Sequence, residues 1–278
     1  MKLQYLGTAA AEGVPALFCE CENCTRSRRL GGRNIRTRSQ ALLDETILID
    51  FPPDTYLHFI AYNLPMHRLH TCLITHAHSD HLYPADLEMR RAYLAHLSDS
   101  ETPLTFYADQ AGYDMIRQEI RKHDLHPNEV AVKQASPGEA FPAEGYRVLP
   151  LRANHDPNSS PLVYIIEKGD KSLFYSNDTG EYPEETWAIL EKRTRPLSLI
   201  SLDCTEVCRH SDYYGHLDLW RCMAVRERLL ACGAADSRTV FVLNHFSHNG
   251  IGSVHDDFVK AAAAQNFLVS YDGMTVEF

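Results

Sequence analysis

A chain of 278 residues, 44% hydrophobic and 23% charged, has the composition of an ordinary globular protein and enough length to bury a full core. Its 27 Lys and Arg against 37 Asp and Glu leave a formal charge of −10, a surface that repels polyanions, so long nucleic acid is not expected as a partner. No stretch approaches the roughly 20 apolar residues of a membrane span, so no membrane association is expected.

The first predicted strand, residues 3–7, is broken by Gln4, Gly7 and Thr8 and reads as a strand entering a turn, not as a signal peptide. A cytoplasmic location is expected. The run Cys19-Glu20-Cys21-Glu22-Asn23-Cys24 follows, placing three of the eight cysteines within six residues. Without a secretory leader, metal ligation is favoured over disulfide bonding. Three thiolates lack a fourth donor for tetrahedral zinc. From 25 to 43 there are six Arg and no acid, which suits either a solvated loop or a phosphate-holding patch; Arg33 and Arg36 are the candidate substrate contacts. Strands at 40–43 and 46–50 come next, the second ending in Asp50, which suits a turn or a hydrogen bond to a ligand imidazole.

The strand at 70–75 runs into His76-Ala77-His78-Ser79-Asp80-His81. Three imidazoles and a carboxylate at one strand rim suit borderline divalent metals. Ala85, Met89, Ala92, Tyr93 and Leu97 keep a helical face. Further strands are expected at 104–108, 130–133, 147–151, 162–167, 172–176, 197–203, 239–243, 267–271 and 274–278, with helices through Leu219, Cys222, Met223, Leu229 and Leu230 and over 256–265. Cys72, Cys222 and Cys232 fall in apolar patterns and read as inert core thiols. Strands in both halves with helices between them suit two packed sheets covered by helices, in a single domain over 1–278.

Three more ligand types stand just past apolar strands: His155, Asp178 and His245. A loop can hold such residues at a sheet rim. With the first cluster they make five His and two Asp, enough for two metals sharing a carboxylate. His248, three residues beyond His245, is the natural fourth donor for Cys19, Cys21 and Cys24; a structural zinc there would staple the N-terminal loop to the loop carrying His245.

The His-x-His-x-Asp-His run, the spaced His155, Asp178-Thr179-Gly180 and the strand-end His245 resemble the metallo-β-lactamase fold superfamily over essentially the whole chain. The resemblance implies an α/β fold, a four-layer αββα sandwich with metals at the edge between the sheets. It also implies that His76, His78 and His155 hold one metal, that Asp80, His81 and His245 hold the other, and that Asp178 bridges them. Mn, Zn and Fe all fit carboxylates mixed with imidazoles.

Within that superfamily several stretches are similar to the PhnP-type phosphodiesterases of the carbon–phosphorus lyase pathway. These are Leu6-Gly7-Thr8 with Gly13-Val14-Pro15, the cysteine run, Asp203-Cys204, Gly215-His216-Leu217-Asp218-Leu219, His245-Phe246-Ser247-His248 and Tyr271-Asp272-Gly273-Met274. Such enzymes hydrolyse 5-phosphoribosyl 1,2-cyclic phosphate to ribose 1,5-bisphosphate. The similarity implies a metal-dependent phosphoric diester hydrolase acting on a small phosphorylated substrate, and a homodimer. Two divalent ions would supply hydroxide at neutral pH and clamp a phosphoryl oxygen. Asp80 and His216 are the expected catalytic residues, His216 as the partner of the leaving alkoxide. A second phosphate on the substrate requires at least one arginine between 26 and 38 to face the pocket. The chain departs from the PhnP-type pattern between Thr205 and Tyr214 and inserts residues around 85–135, both expected to border the pocket.

Rival readings are a tRNase Z-like RNA endonuclease, disfavoured by the acidic charge, and a PqqB-like non-hydrolytic biosynthetic accessory protein, which shares the cysteine run. Lactam or lactone hydrolysis fits the cysteine run less well.

Overall fold

The structure, a computed structural model, describes residues 1–278. One sheet is built from β1 (Lys2–Gly7), β2 (Gln40–Leu43), β3 (Ile47–Ile49), β4 (Thr71–Leu73), β5 (Leu104–Ala108) and β6 (Val130–Gln134), with β14 (Thr275–Glu277) at the edge beside β1. The other contains β7 (Phe141–Ala143), β8 (Tyr146–Arg152), β9 (Leu162–Lys168), β10 (Lys171–Ser176), β11 (Leu199–Asp203), β12 (Val240–Asn244) and β13 (Leu268–Val269), in that spatial order. Both follow one plan. Strands β14-β1-β2-β3 pair antiparallel and β3-β4-β5-β6 parallel, just as β7-β8-β9-β10 pair antiparallel and β10-β11-β12-β13 parallel.

Six α-helices complete the fold: α1 (Glu22–Leu30), α2 (Thr55–Tyr62), α3 (Gln110–Lys122), α4 (Glu184–Leu190), α5 (Leu219–Ala231) and α6 (His255–Ala263). Strand alternation sorts the apolar residues into three cores. Leu3, Tyr5, Ala41, Leu43, Ile47 and Ile49 meet Leu162, Tyr164, Ile166, Leu173 and Tyr175 between the sheets. Leu42, Leu48, Cys72 and Phe106 face outward, toward Ile116 of α3. On the opposite outer face Val163, Ile165 and Phe174 pack with Trp187, Cys222, Leu229 and Phe258 of α4, α5 and α6. This is the expected αββα arrangement. Strands buried on both faces read as near-continuous apolar runs, which is why most of them are recognisable in the letters. No helix is long and apolar enough to cross a membrane.

Several expectations fail. The helix through 85–97 is a 3-10 turn, Pro84–Arg90, in which only Leu87 is buried. Tyr93 and Leu94 beyond it are 88% and 47% exposed, so the apolar face has no layer to pack against and the helix has no tertiary support. The arginine-rich stretch is not loop throughout, because its start lies in α1. There the side chain of Cys21 accepts from the Cys24 N–H in place of the usual Ser, Thr or Asp cap. Helices α2, α3 and α4 and the edge strand β7 are also unforeseen; Pro142 masks β7, and an edge is where a sheet tolerates proline.

Candidate metal centre

In the second sheet β8, β10, β11 and β12 all point their C-terminal ends to one rim, and β3 and β4 do the same in the first. From these ends come Asp50 after β3, the loop His76–His81 after β4, His155 after β8, Asp178 after β10, Asp203 closing β11 and His245 after β12. Asp50, Asp178 and His245 all have left-handed backbone, with φ of 66°, 55° and 66°. Strained residues of this kind persist where the surroundings over-determine them, as at functional sites.

The seven expected ligands converge. His76, His78, His155 and Asp178 form one group whose ligand atoms lie within 4.8 Å of one another, and Asp80, His81, Asp178 and His245 form a second. Asp178 belongs to both. Its Oδ2 lies 3.2 Å from His76 Nε2, 3.6 Å from His155 Nε2 and 2.9 Å from His81 Nε2. His78 Nδ1 approaches His155 Nε2 at 3.2 Å, and the Nε2 atoms of His81 and His245 are 3.2 Å apart. All seven are buried except His78, which is exposed. Two atoms of the cluster, His76 Nε2 and Asp178 Oδ1, are buried without a hydrogen-bond partner. Buried polar atoms are rarely left so, and a cation between the two groups would satisfy both. The donor set therefore fits divalent metal.

The electrostatics favour ligation at part of the set, while at His81 burial is outweighed by Asp80, Asp50 and Asp178, which push it well above the usual imidazole range. Burial pushes His76 down to about 4 and lowers His245 as well, so both imidazoles present neutral, ligating nitrogens. Burial alone would raise Asp178, but the surrounding imidazoles, His245 and His155 first, hold it well below the usual carboxylate range.

A second layer orients these groups. Asp50 Oδ2 accepts from His81 Nδ1 at 2.7 Å, and its Oδ1 accepts from the Thr75 N–H at 2.8 Å, which places it as the imidazole's partner and not as a simple turn residue. Thr205 Oγ1 meets His245 Nδ1 at 2.8 Å and donates to Asp203 Oδ2 at 3.0 Å. The Gly215 carbonyl lies 3.1 Å from His155 Nδ1.

His216 is brought beside the cluster. Its Nδ1 is 3.1 Å from Asp203 Oδ2 and 3.2 Å from Asp178 Oδ1. Burial opposes its charging, but Asp203 and then Asp178 outweigh burial and push it up to about 9. Asp203 and Thr205 were not foreseen as site residues, although an acid closing an apolar strand is the signal that singled out Asp178.

The cysteine site also assembles. Cys19, Cys21, Cys24 and His248 form a third cluster, with both Cys19 Sγ and Cys21 Sγ 3.5 Å from His248 Nδ1. Asn23 Nδ2 donates to the carbonyls of His248 and Gly250, pinning the two loops together. Burial opposes ionisation of Cys21, yet His248 and the Cys24 N–H bring it down to about 6, while burial pushes Cys24 up to about 12.

A cavity of about 260 Å³ opens over the metal-ligand cluster, lined by His78, Asp80, His155, Asp178, His216 and His245 with Glu12, Glu206, Arg209, Ser247 and Asn249 among the other residues. No arginine between 26 and 38 lines it. Arg33 lies over the Tyr271 ring. Arg36 is 2% exposed and donates to Thr8 Oγ1 and the Ser270 carbonyl while covering Phe246. Arg38 pairs with Asp54. Arg36 is thus structural, because interior acceptors of the folded chain take its guanidinium, while Arg33 stays exposed against the Tyr271 ring, away from the cavity. The segment around 85–135 does not border this cavity either; part of it lines a separate apolar one with Phe51, Tyr56 and Phe59. The 205–214 stretch does border it, through Thr205, Glu206 and Arg209.

A beta-lactamase superfamily domain matches residues 45–246. No curated protein sequence matches the chain. Among solved structures, a diphosphatase from the PhnP family is 20% identical over 100% of this chain and 97% of that one, with a TM-score of 0.75. Zinc-bound PqqB from Methylobacterium extorquens is likewise 20% identical, over 100% of both chains, with a TM-score of 0.75. The short form of human tRNase Z is 17% identical over 100% and 99% of the two chains, with a TM-score of 0.69. At such identities these likenesses establish the fold.

Proposed function

This chain belongs to the beta-lactamase superfamily, and we propose that it is a metal-dependent phosphodiesterase that opens a small cyclic phosphodiester. The first candidate substrate is the compound its PhnP-type motifs imply, 5-phosphoribosyl 1,2-cyclic phosphate, with ribose 1,5-bisphosphate as product. The observation that carries the reading is Asp178, a single buried carboxylate that reaches imidazoles of both ligand groups.

His76, His78 and His155 would hold one divalent ion, Asp80, His81 and His245 a second, and Asp178 both. When bound, such ions polarise a phosphoryl oxygen and lower the pKa of water so that hydroxide is available near neutral pH. The remaining work falls to the protein. Hydrolysis of a cyclic diester breaks one P–O bond, and the departing oxygen, still tethered to the sugar, needs a proton. His216 lines the cavity outside the two four-residue groups that share Asp178, in a further cluster with Asp178, Asp203 and His245, and Asp203 keeps its imidazole charged, so it is suited to give that proton. Thr205 fixes both Asp203 and His245, coupling the proton donor to a metal ligand. Cys19, Cys21, Cys24 and His248 would hold a structural zinc, which forces all three thiols into the thiolate form.

The test uses protein loaded in turn with Mn, Zn and Fe. It is offered 5-phosphoribosyl 1,2-cyclic phosphate, nucleoside 2′,3′-cyclic phosphates and bis(p-nitrophenyl) phosphate, beside pre-tRNA and a lactone. Diester opening is expected. Cleavage of pre-tRNA or the lactone alone, or of nothing with any metal, overturns the reading in favour of a tRNase Z-like, lactonase or PqqB-like role.

A further inference from the structure

We propose that Arg209 is the anion anchor of this cavity, the side chain that takes a second anionic group, of the phosphate monoester class, on the same small molecule whose diester lies at the metal ligands. The inference rests on the phosphodiesterase reading of the site and deepens it.

Arg209 is the sole Lys or Arg lining the cavity. Several arginines are held by close carboxylates, Arg147 and Arg193 by Glu167 at 2.8 and 3.0 Å, Arg228 by Glu191 at 2.8 Å and Arg152 by Glu185 at 2.7 Å. Arg209 has no such partner. Its nearest carboxylate is Glu206, with 4.0 Å between Nε and Oε2, and its side chain is 51% exposed. A guanidinium left open at the wall of a polar cavity presents its fork to whatever planar or tetrahedral anion enters.

The turn that carries it is built at a cost. Val207 has φ of 52°, a left-handed conformation that a β-branched side chain resists. It is nonetheless fully buried, its N–H bonded to the Cys204 carbonyl at 3.1 Å and its carbonyl accepting from the Leu219 N–H at 2.8 Å. Gly250 makes room for it, since a Cβ there would fall 2.5 Å from Val207 Cγ2. Strain so firmly held needs a reason at the site it serves. Its consequence is that Glu206 and Arg209, on either side of Val207, both reach the cavity.

The other wall residues narrow the ligand. Glu206 and Glu12 repel a free anion, so a second phosphate is tolerated only where the guanidinium meets it. The same carboxylates accept from hydroxyl groups, which suits a sugar between the two phosphates. A volume of about 260 Å³ holds a sugar phosphate and excludes a macromolecule's body.

The experiment measures Kd of the Mn-loaded protein for ribose 1,5-bisphosphate and for ribose 1-phosphate, which lacks only the phosphate assigned to Arg209, in the wild type, Arg209→Ala and Arg209→Lys. A charge-assisted pair to one added phosphate gives the wild type a preference for the bisphosphate of about ten- to hundredfold. Arg209→Ala should reduce that preference to less than about threefold, with Arg209→Lys intermediate because it lacks the fork. Equal binding of the two compounds by the wild type, or an undiminished preference in Arg209→Ala, overturns the proposal. The outcome is independent of turnover: absence of diester cleavage would defeat the function proposed above, while the ratio of the two Kd values would still decide the role of Arg209.

Discussion

Replacing Asp50 by Asn tests whether the second layer sets the ligating state of the first. The side chain keeps its shape and loses only its charge and half its acceptors. Asp50 is fully buried and accepts from His81 Nδ1 at 2.7 Å, from the Thr75 N–H at 2.8 Å and from Thr75 Oγ1 at 2.9 Å. The amide oxygen of Asn can retain the Thr75 bonds. Its NH2 then faces His81 Nδ1 and must find an acceptor there, which moves the imidazole proton to Nε2. That nitrogen lies 2.9 Å from Asp178 Oδ2 and 3.3 Å from Asp80 Oδ2, and in the flipped tautomer it is a donor and no longer a ligand. Outer partners of this kind alter metal affinity by about 10–100-fold, or roughly 1.4–2.8 kcal/mol. Chelator titration of the purified protein, with bound metal counted by mass spectrometry, should therefore show Asp50→Asn losing one ion of the catalytic pair at lower chelator concentration than the wild type. The ion on the His76, His78 and His155 side should be retained longer. Unchanged affinity at both positions would refute the reasoning, and so would simultaneous loss of both ions.

Three further outcomes are expected. His216→Ala should lower kcat by about 10²–10⁴-fold while metal content stays at the wild-type level, and loss of metal would instead make His216 a ligand. Gly180→Ala places a Cβ only 1.6 Å from the Tyr214 carbonyl oxygen, so the loop leading to His216 must move; kcat should fall by about 10²-fold with metal retained, against no change if that loop is irrelevant. Cys21→Ser should remove the zinc held with Cys19, Cys24 and His248 and lower the melting temperature, and retention of that metal in quantitative analysis would contradict the ligand assignment.

The site was more legible in the letters than the fold around it. Metal chemistry admits few residue types, and His76 to His81, His155, Asp178 and His245 each stand directly past an apolar strand, so residue type and position point the same way. Arginine carries no such constraint. Arg36 was a fair candidate for a phosphate, yet its partners Thr8 and Ser270 are brought to it only by the folded chain, and nothing local marks it as interior. Arg209 escaped notice for the converse reason: its place at the cavity depends on the left-handed turn at Val207 and the space left by Gly250. Helix α1 was hidden by its charge and its thiol cap. The false helix at 85–97 had the right period but no surface to bury it against. The repetition of one strand plan in both sheets likewise has no counterpart in residue identity, since pairing direction follows from the connections between strands.

The central claim is that Asp178 sits between two divalent ions at the rim shared by the sheets. Anomalous diffraction from crystals of the Mn- or Zn-loaded protein measures it directly. Two peaks are predicted beside the Asp178 carboxylate, one facing His76, His78 and His155 and the other facing Asp80, His81 and His245, with a third among Cys19, Cys21, Cys24 and His248. A single peak, or none, at Asp178 would contradict the account.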